Sequence, residues 1–248
     1  MKARLPATLQ PVACQDLIRL GGKGDGGYLV SRSDVVRSDF LLSFGVNCDW
    51  RFESDFASIN DVPLDAYDAS TNPMLFIKRA VKAFLDFKPK LALELLWKLR
   101  AFRLFFKGQR RHVAKYVGLP IGGTHCTLDD VFSRVTASNV FVKMDIEGSE
   151  YRCLDSIVRN RSRISSVVIE FHEVDLHLDR IVSFVNDLKF HLLHVHANNW
   201  STISEGTPLV IELTLSRDSV GGVKVVSLPS ALDAPNNPSA PDIEIAFA

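Results

Sequence analysis

Phe141-Val-Lys-Met-Asp-Ile-Glu-Gly-Ser-Glu150 decides how this chain is read. It sits in a run, Asn139 to Ile146, that is nearly all apolar until Lys143 and Asp145. Gly148 and Ser149 then open a helix with Leu154, Ile157 and Val158 on its inner face. A strand apolar on both faces, ending in carboxylates and passing into an amphipathic helix, belongs in a parallel sheet covered on both sides.

The same alternation extends outward in both directions. Upstream, Thr127-Leu-Asp-Asp130 is a capping-box pattern, and Leu128, Val131, Phe132 and Val135 share one helical face. Phe40 to Val46 reads as a strand broken at Gly45 and Asn47, after which Phe52, Phe56 and Ile59 recur at helical spacing. A second strand, Val62 to Tyr67, ends at Asp68. Downstream come a strand from Ser166 to Phe171, a helix burying Ile181, Val182, Val185 and Leu188, and strands Phe190 to Val195 and Leu209 to Leu215. Asp218, Gly221 and Gly222 followed by Val223 to Leu228 add a hairpin signal, which implies an antiparallel edge. The expected fold is an α/β sandwich.

At 248 residues the chain fits a single large domain. One domain is expected over residues 1–228. The tail 229–248, with Pro229, Pro235, Pro238 and Pro241 among polar residues, is expected to be disordered or loosely attached. The 29 Lys and Arg balance 29 Asp and Glu, which argues against a nucleic-acid partner held by bulk charge. The balance hides a division: residues 76–118 hold 12 basic residues against 2 acids, leaving 17 against 27 elsewhere. Within that segment Ile77, Ala80, Val81, Phe84 and Leu85 form one stripe, Pro89 interrupts, and Ala92, Leu95, Leu96, Leu99, Phe102 and Phe106 form another. A basic helical hairpin inserted after the second strand is the expectation, either as a lid over an acceptor or as a peripheral membrane contact.

Cys14, Cys48, Cys126 and Cys153 show neither a C-x-x-C pair nor metal-ligand spacing, so reduced thiols and a cytoplasmic location are expected. The first twenty residues lack the apolar core of a secretory signal, and no run is long enough for a spanning helix.

Ligands of open α/β sheets bind beyond the carboxyl ends of the strands. Here those ends carry Gly45, Asn47 and Asp49; Asp68; Asp145 and Glu147; Glu170, His172 and Glu173; and His194, His196, Asn198 and Asn199. The glycines of Gly21-Gly22, Gly24 and Asp25-Gly-Gly-Tyr28 make a tight turn without a phosphate-loop pattern, expected to cover a sheet edge.

The Lys143–Glu150 box occurs in order with Ser43-Phe-Gly-Val-Asn-Cys-Asp-Trp-Arg-Phe-Glu53, Thr127–Asp130, Val168-Ile-Glu-Phe-His172 and His194-Val-His-Ala-Asn-Asn199. Taken together these resemble the FkbM family of S-adenosylmethionine-dependent O-methyltransferases, from about Gly21 to Leu215. The resemblance implies a three-layer, Rossmann-like class I methyltransferase fold with a seven-stranded sheet whose last strand is antiparallel. It places S-adenosylmethionine against Ser43, Gly45, Asn47, Asp49, Glu53, Asp68, Asp145 and Glu147. Gly45 would admit the methionine part, and Asp68 would accept the ribose hydroxyls. The first loop departs from the class I pattern of several glycines by keeping only Gly45.

Methyl transfer to a hydroxyl needs an in-line oxygen and a group to take its proton. His172 or His196 would be that base, with Asp145 orienting, because imidazole titrates near neutral pH. One of His194 and His196 is expected to be structural. Asp145, Glu147, Glu170, His172 and His196 also form a set able to hold a divalent cation, but their spacing shows no metal motif and none is assigned. The expected acceptor is a small molecule or glycan, anionic or lipid-linked, such as a sugar of a glycoconjugate. The competing readings are a metal-dependent hydrolase on a Rossmann-like sheet, and a membrane- or polyanion-binding module using residues 76–118.

Overall fold

Period-two alternation places the core on two sides of a central strand, β1 (Phe40–Phe44). Leu42 and Phe44 face one apolar layer, and Leu41 faces the other. β1 belongs to a seven-stranded sheet in a computed structural model describing residues 2–218, 223–225 and 227–248. The other strands are β2 (Leu64–Tyr67), β3 (Arg110–Val113), β4 (Val140–Met144), β5 (Ile164–Phe171), β6 (His191–Ala197) and β7 (Ile211–Ser216). Their spatial order is β3-β2-β1-β4-β5-β7-β6. β1 through β5 run parallel to one another, and β7 is antiparallel to both β5 and β6.

Besides a short helix at Arg32–Arg37, the helices are α1 (Arg51–Ile59), α2 (Pro73–Leu85), α3 (Pro89–Phe105), α4 (Leu128–Phe132), α5 (Leu154–Arg159) and α6 (Val174–Leu188). The Thr127 capping box forms in full: Thr127 Oγ1 accepts from the Asp130 N–H, and the Asp130 carboxylate accepts from the Thr127 N–H. α4, α5 and α6 cover the layer containing Val140, Val142 and Met144. On the other face α1 packs Phe52 and Phe56 against Phe141, together with an N-terminal hairpin, Leu17–Leu20 paired with Tyr28–Ser31. That hairpin lies on the sheet and not along its edge, with the Thr214 hydroxyl on β7 donating to the Leu29 carbonyl.

Two expectations about the strands change. Residues 76–118 are not wholly an insert, because Arg110–Val113 is β3 and pairs in parallel with β2. Its strand pattern is masked by charge: Arg111 reaches the buried Asp65 of β2, and His112 packs against Phe102. β7 is not an edge, since it slots between β5 and β6. The Gly221-Gly222 turn lies outside the described residues, and Lys224 and Leu228 instead bridge to Val12 and Ile245.

The tail, expected to be loose, is packed. Glu244–Phe247 pairs in parallel with Lys2–Leu5, and Ile243 and Ile245 are buried. The prolines mask a polar fastening: Asp233 meets His194, Asn236 donates to Glu212, Asp242 meets His196, and Asn199 donates to three tail carbonyls. Among the described residues no helix is long and apolar enough to cross a membrane.

Candidate functional site

A cavity of about 310 Å³ opens beyond the carboxyl ends of β1, β2 and β4. Gly45 makes this arrangement possible. Its φ is +78°, and a Cβ there would lie 1.5 Å from the Asp145 carbonyl oxygen, so the loops after β1 and β4 touch through backbone that no side chain could separate. The ammonium of Lys143 reinforces the junction by donating to the Gly45 carbonyl at 2.6 Å, and it sits over the Tyr28 ring.

Asn47, Asp49, Glu53, Asp68, Asp145 and Glu147 line the cavity with Gly45. Asp68 also braces it, since one carboxylate oxygen accepts from the Asn47 N–H and the other from the Ser70 N–H and hydroxyl. Asp49 pairs with Arg51 and accepts the Arg51 N–H, which uses one of the donors at the start of α1. Ser43 does not line the cavity. It is fully buried and donates to Glu53, because position 43 alternates toward the α1 side of the sheet. Burial raises the Glu53 carboxyl pKa, with the Lys143 charge and the Ser43 hydrogen bond acting against it. Val46, Phe52, Val117 and Ile146 give the cavity an apolar surface.

A second cavity, of about 330 Å³, shares Asp25, Asp145 and Glu147 with the first and is completed by Glu170, His172, Asn198, Trp200, Ser201 and Val210. His172 Nε2 lies 3.4 Å from Glu147 and 3.9 Å from Glu170, and Nδ1 lies 3.3 Å from the buried Glu150. Burial alone would lower its pKa, but the Glu150 contact and the Glu170 and Asp145 charges override burial and push it up to about 9. Glu170 is raised as well, which for a carboxyl favours the neutral form: burial, then the Asp145 and Glu212 charges, hold it well above its ordinary value. Asp145, Glu147 and His172 bring one ligand atom each within 4.8 Å of one another, a set able to hold a divalent cation.

His196 is not at either cavity. It is 1% exposed, with Nε2 3.0 Å from Asp242 and Nδ1 3.4 Å from Glu212. His194 and His196 lie two residues apart on β6, so both rings project from the same face, 6.4 Å apart, and both are structural.

Several lining residues escape a reading by strand ends. Asp25 and Gly26 belong to the N-terminal hairpin turn, and Lys115 and Tyr116 follow the unrecognised β3. Tyr28 connects the two cavities' walls by placing its hydroxyl 3.1 Å from Asp145 and 3.0 Å from Glu170. The cluster of glycines around the turn was the available signal for this approach to the site.

Residues 121–192 match the family model described as Methyltransferase FkbM domain. That stretch runs from before α4 to the start of β6 and contains Asp145, Glu147, Glu170 and His172. No curated protein matches the chain. Among solved structures it is similar to a precorrin-6y C5,15-methyltransferase from Geobacter metallireducens at 15% identity, covering 75% of this chain and 85% of that one with a TM-score of 0.37. It is also similar to the CcbJ methyltransferase from Streptomyces caelestis at 10% identity, covering 75% and 86% with a TM-score of 0.39. A predicted O-methyltransferase from Agrobacterium tumefaciens gives 9% identity, 78% and 82% coverage, and a TM-score of 0.37.

Proposed function

We propose that this chain, whose residues 121–192 match the FkbM methyltransferase domain model, is an S-adenosylmethionine-dependent methyltransferase that methylates a hydroxyl oxygen, and that its acceptor is a sugar hydroxyl of a glycoconjugate or lipid-linked molecule. The observation that carries the reading is the shared wall between the two cavities: Asp25, Asp145 and Glu147 border both, and His172 stands in the second. One compartment can hold the cofactor while the other offers an acceptor and a group to take its proton.

The residues of the first cavity suit the cofactor. The passage at Gly45 leaves no room for a side chain, Asp68 and Glu53 supply carboxylate acceptors, and Phe52, Val46 and Ile146 offer an apolar surface for a flat base. S-adenosylmethionine supplies, when bound, a methyl group on an electrophilic sulfonium. Everything else falls to the chain: Asp145 and Glu147 fix the boundary between the compartments, and His172 Nε2, freed of its proton, accepts the hydroxyl proton as the oxygen becomes a nucleophile. Trp200 presents an exposed ring beside Asn198 and Ser201, a platform with polar edges that suits a sugar ring. The acidic wall disfavours negative charge at the reacting centre, so any anionic part of the acceptor is accommodated toward the basic helices.

The test is turnover with S-adenosylmethionine and a panel of glycan acceptors, read as S-adenosylhomocysteine release with mass-spectrometric location of the methyl group. Methyl ethers on sugar hydroxyls support the reading. A methyl group on nitrogen or carbon overturns it.

A further inference from the structure

α2 and α3 form a helical hairpin whose inner side is settled and whose outer side is not. Phe76, Leu99 and Phe102 are buried and pack with Trp50 and Phe106. Outside, Phe84 and Leu85 are each 69% exposed and Phe87, at the turn, is 94% exposed. On α3, Leu93, Leu96, Trp97 and Leu104 are all exposed and fall on one face by their spacing. Scattered surface apolar residues need no explanation, but a tip and an adjoining stripe of this size are a contact surface.

Charge identifies what would cover it. Between Pro73 and Phe105 there are eight Lys and Arg against two acids, which leaves 21 basic against 27 acidic residues in the rest of the chain. All eight are exposed, and among the described residues none is in an ion pair with this chain's own acids. A surface with unpaired cations, large apolar side chains and a Trp is complementary to an anionic bilayer, where rings and Leu enter the headgroup region and Lys stems reach back to phosphate. The excess acid of the body is repelled by the same surface, so the field orients the molecule hairpin first.

We infer that the α2–α3 hairpin is a peripheral docking device for anionic lipid bilayers, with Phe84, Leu85, Phe87 and Trp97 entering the interface and Lys82, Lys88 and Lys90 holding it by charge. Docking has a consequence for the site. α2 starts at Pro73, capped by Asn72, only a few residues after Asp68 and Ser70 of the first cavity. The cleft is therefore held beside the hairpin's root, within reach of a lipid-linked acceptor. The docking itself does not depend on methyl transfer.

Co-sedimentation of the whole protein, without cofactor or acceptor, with vesicles of phosphatidylcholine containing about 30% phosphatidylglycerol tests the inference against pure phosphatidylcholine. Anionic vesicles are expected to bind at least about tenfold more tightly at low salt. Two variants, Phe84→Ser/Phe87→Ser/Trp97→Ser and Lys82→Gln/Lys88→Gln/Lys90→Gln, should each lose about tenfold in binding while keeping S-adenosylmethionine affinity. No binding to anionic vesicles at low salt overturns the inference. So does full binding by the serine variant, which would mean diffuse charge attraction alone. A dimer in light scattering that the serine variant dissolves would also overturn it, assigning the surface to a second copy of the chain. Because vesicle binding is read without turnover, failure here leaves the methylation reading standing, and failure of that reading leaves docking untouched.

Discussion

The Tyr28 hydroxyl donates to the Glu170 carboxylate at 3.0 Å, joining the second strand of the N-terminal hairpin to the end of β5 across 142 residues of sequence. Burial, then the Asp145 and Glu170 charges, hold the phenol well above its ordinary pKa, so it is a protonated donor at neutral pH. Glu170 also accepts from Asn198 at 2.9 Å, which fixes the carboxylate in the wall of the second cavity. Tyr28→Phe keeps the packed ring and removes one hydrogen bond from a buried acceptor, so unfolding free energy should fall by about 1–3 kcal/mol. The cofactor dissociation constant should stay within about twofold while kcat falls, because the loosened carboxylate borders the acceptor compartment. Calorimetric titration and steady-state kinetics separate the two effects.

Gly45→Ala should be far more damaging than its size suggests. The new methyl would overlap the Asp145 carbonyl, and the backbone there has positive φ. The loops after β1 and β4 would have to part, with loss of the Lys143 bond to the Gly45 carbonyl. Destabilisation above about 2 kcal/mol and loss of measurable cofactor binding are expected. Gly148→Ala is the control: it also has positive φ, but nothing lies near its missing Cβ, so it should retain binding.

His172 should control the pH profile. Glu150, Glu170 and Asp145 keep its imidazole protonated up to about pH 9. If the neutral ring takes the acceptor proton, kcat rises about tenfold per pH unit below that point and levels above it. His172→Gln should remove the slope and lower kcat by about 100-fold or more, with cofactor affinity spared. A flat wild-type profile, or a sloping one in the variant, would assign the proton to another group.

His196 should control stability instead. Burial lowers its pKa, but the Asp242 hydrogen bond and the Glu212 contact and charge outweigh that and raise it to about 10. The folded value lies above the ordinary histidine value of about 6.5, so the stabilisation is complete below that pH and is lost as pH rises through about 10. The melting temperature should therefore decline between roughly pH 7 and 10, and His196→Gln, already destabilised, should decline less over that window. Asp242→Ala should destabilise at neutral pH by about 3–5 kcal/mol, since it strips a buried imidazolium of a partner.

What the sequence makes legible is whatever short-range pattern determines. β1, β4 and β5 follow from apolar runs, α4 from its cap, and the cavity residues at Gly45, Asn47, Asp68, Asp145 and Glu147 from their place at strand ends. What escapes depends on partners distant in the chain. β3 reads as basic because Arg111 finds its carboxylate on β2. The tail reads as polar and proline-rich because its Asp233, Asn236 and Asp242 serve buried groups on β6 and β7. His196 looks like a base for the same reason: only the folded tail reveals the carboxylate that occupies it. The position of β7 between β5 and β6 is likewise a property of the sheet and not of the segment.

The parallel pairing of Lys2–Leu5 with Glu244–Phe247 also sets an order of events. The two strands lie at opposite ends of the described residues, so closing the loop between them costs more entropy than any other strand pairing and comes last. Until then Leu5 and its neighbours lack the cover of Ile243 and Ile245, and His194 and His196 lack Asp233 and Asp242. The remaining elements close shorter loops and can assemble before this pairing forms. Proteolytic vulnerability during refolding should therefore concentrate in the interval before these two strands meet.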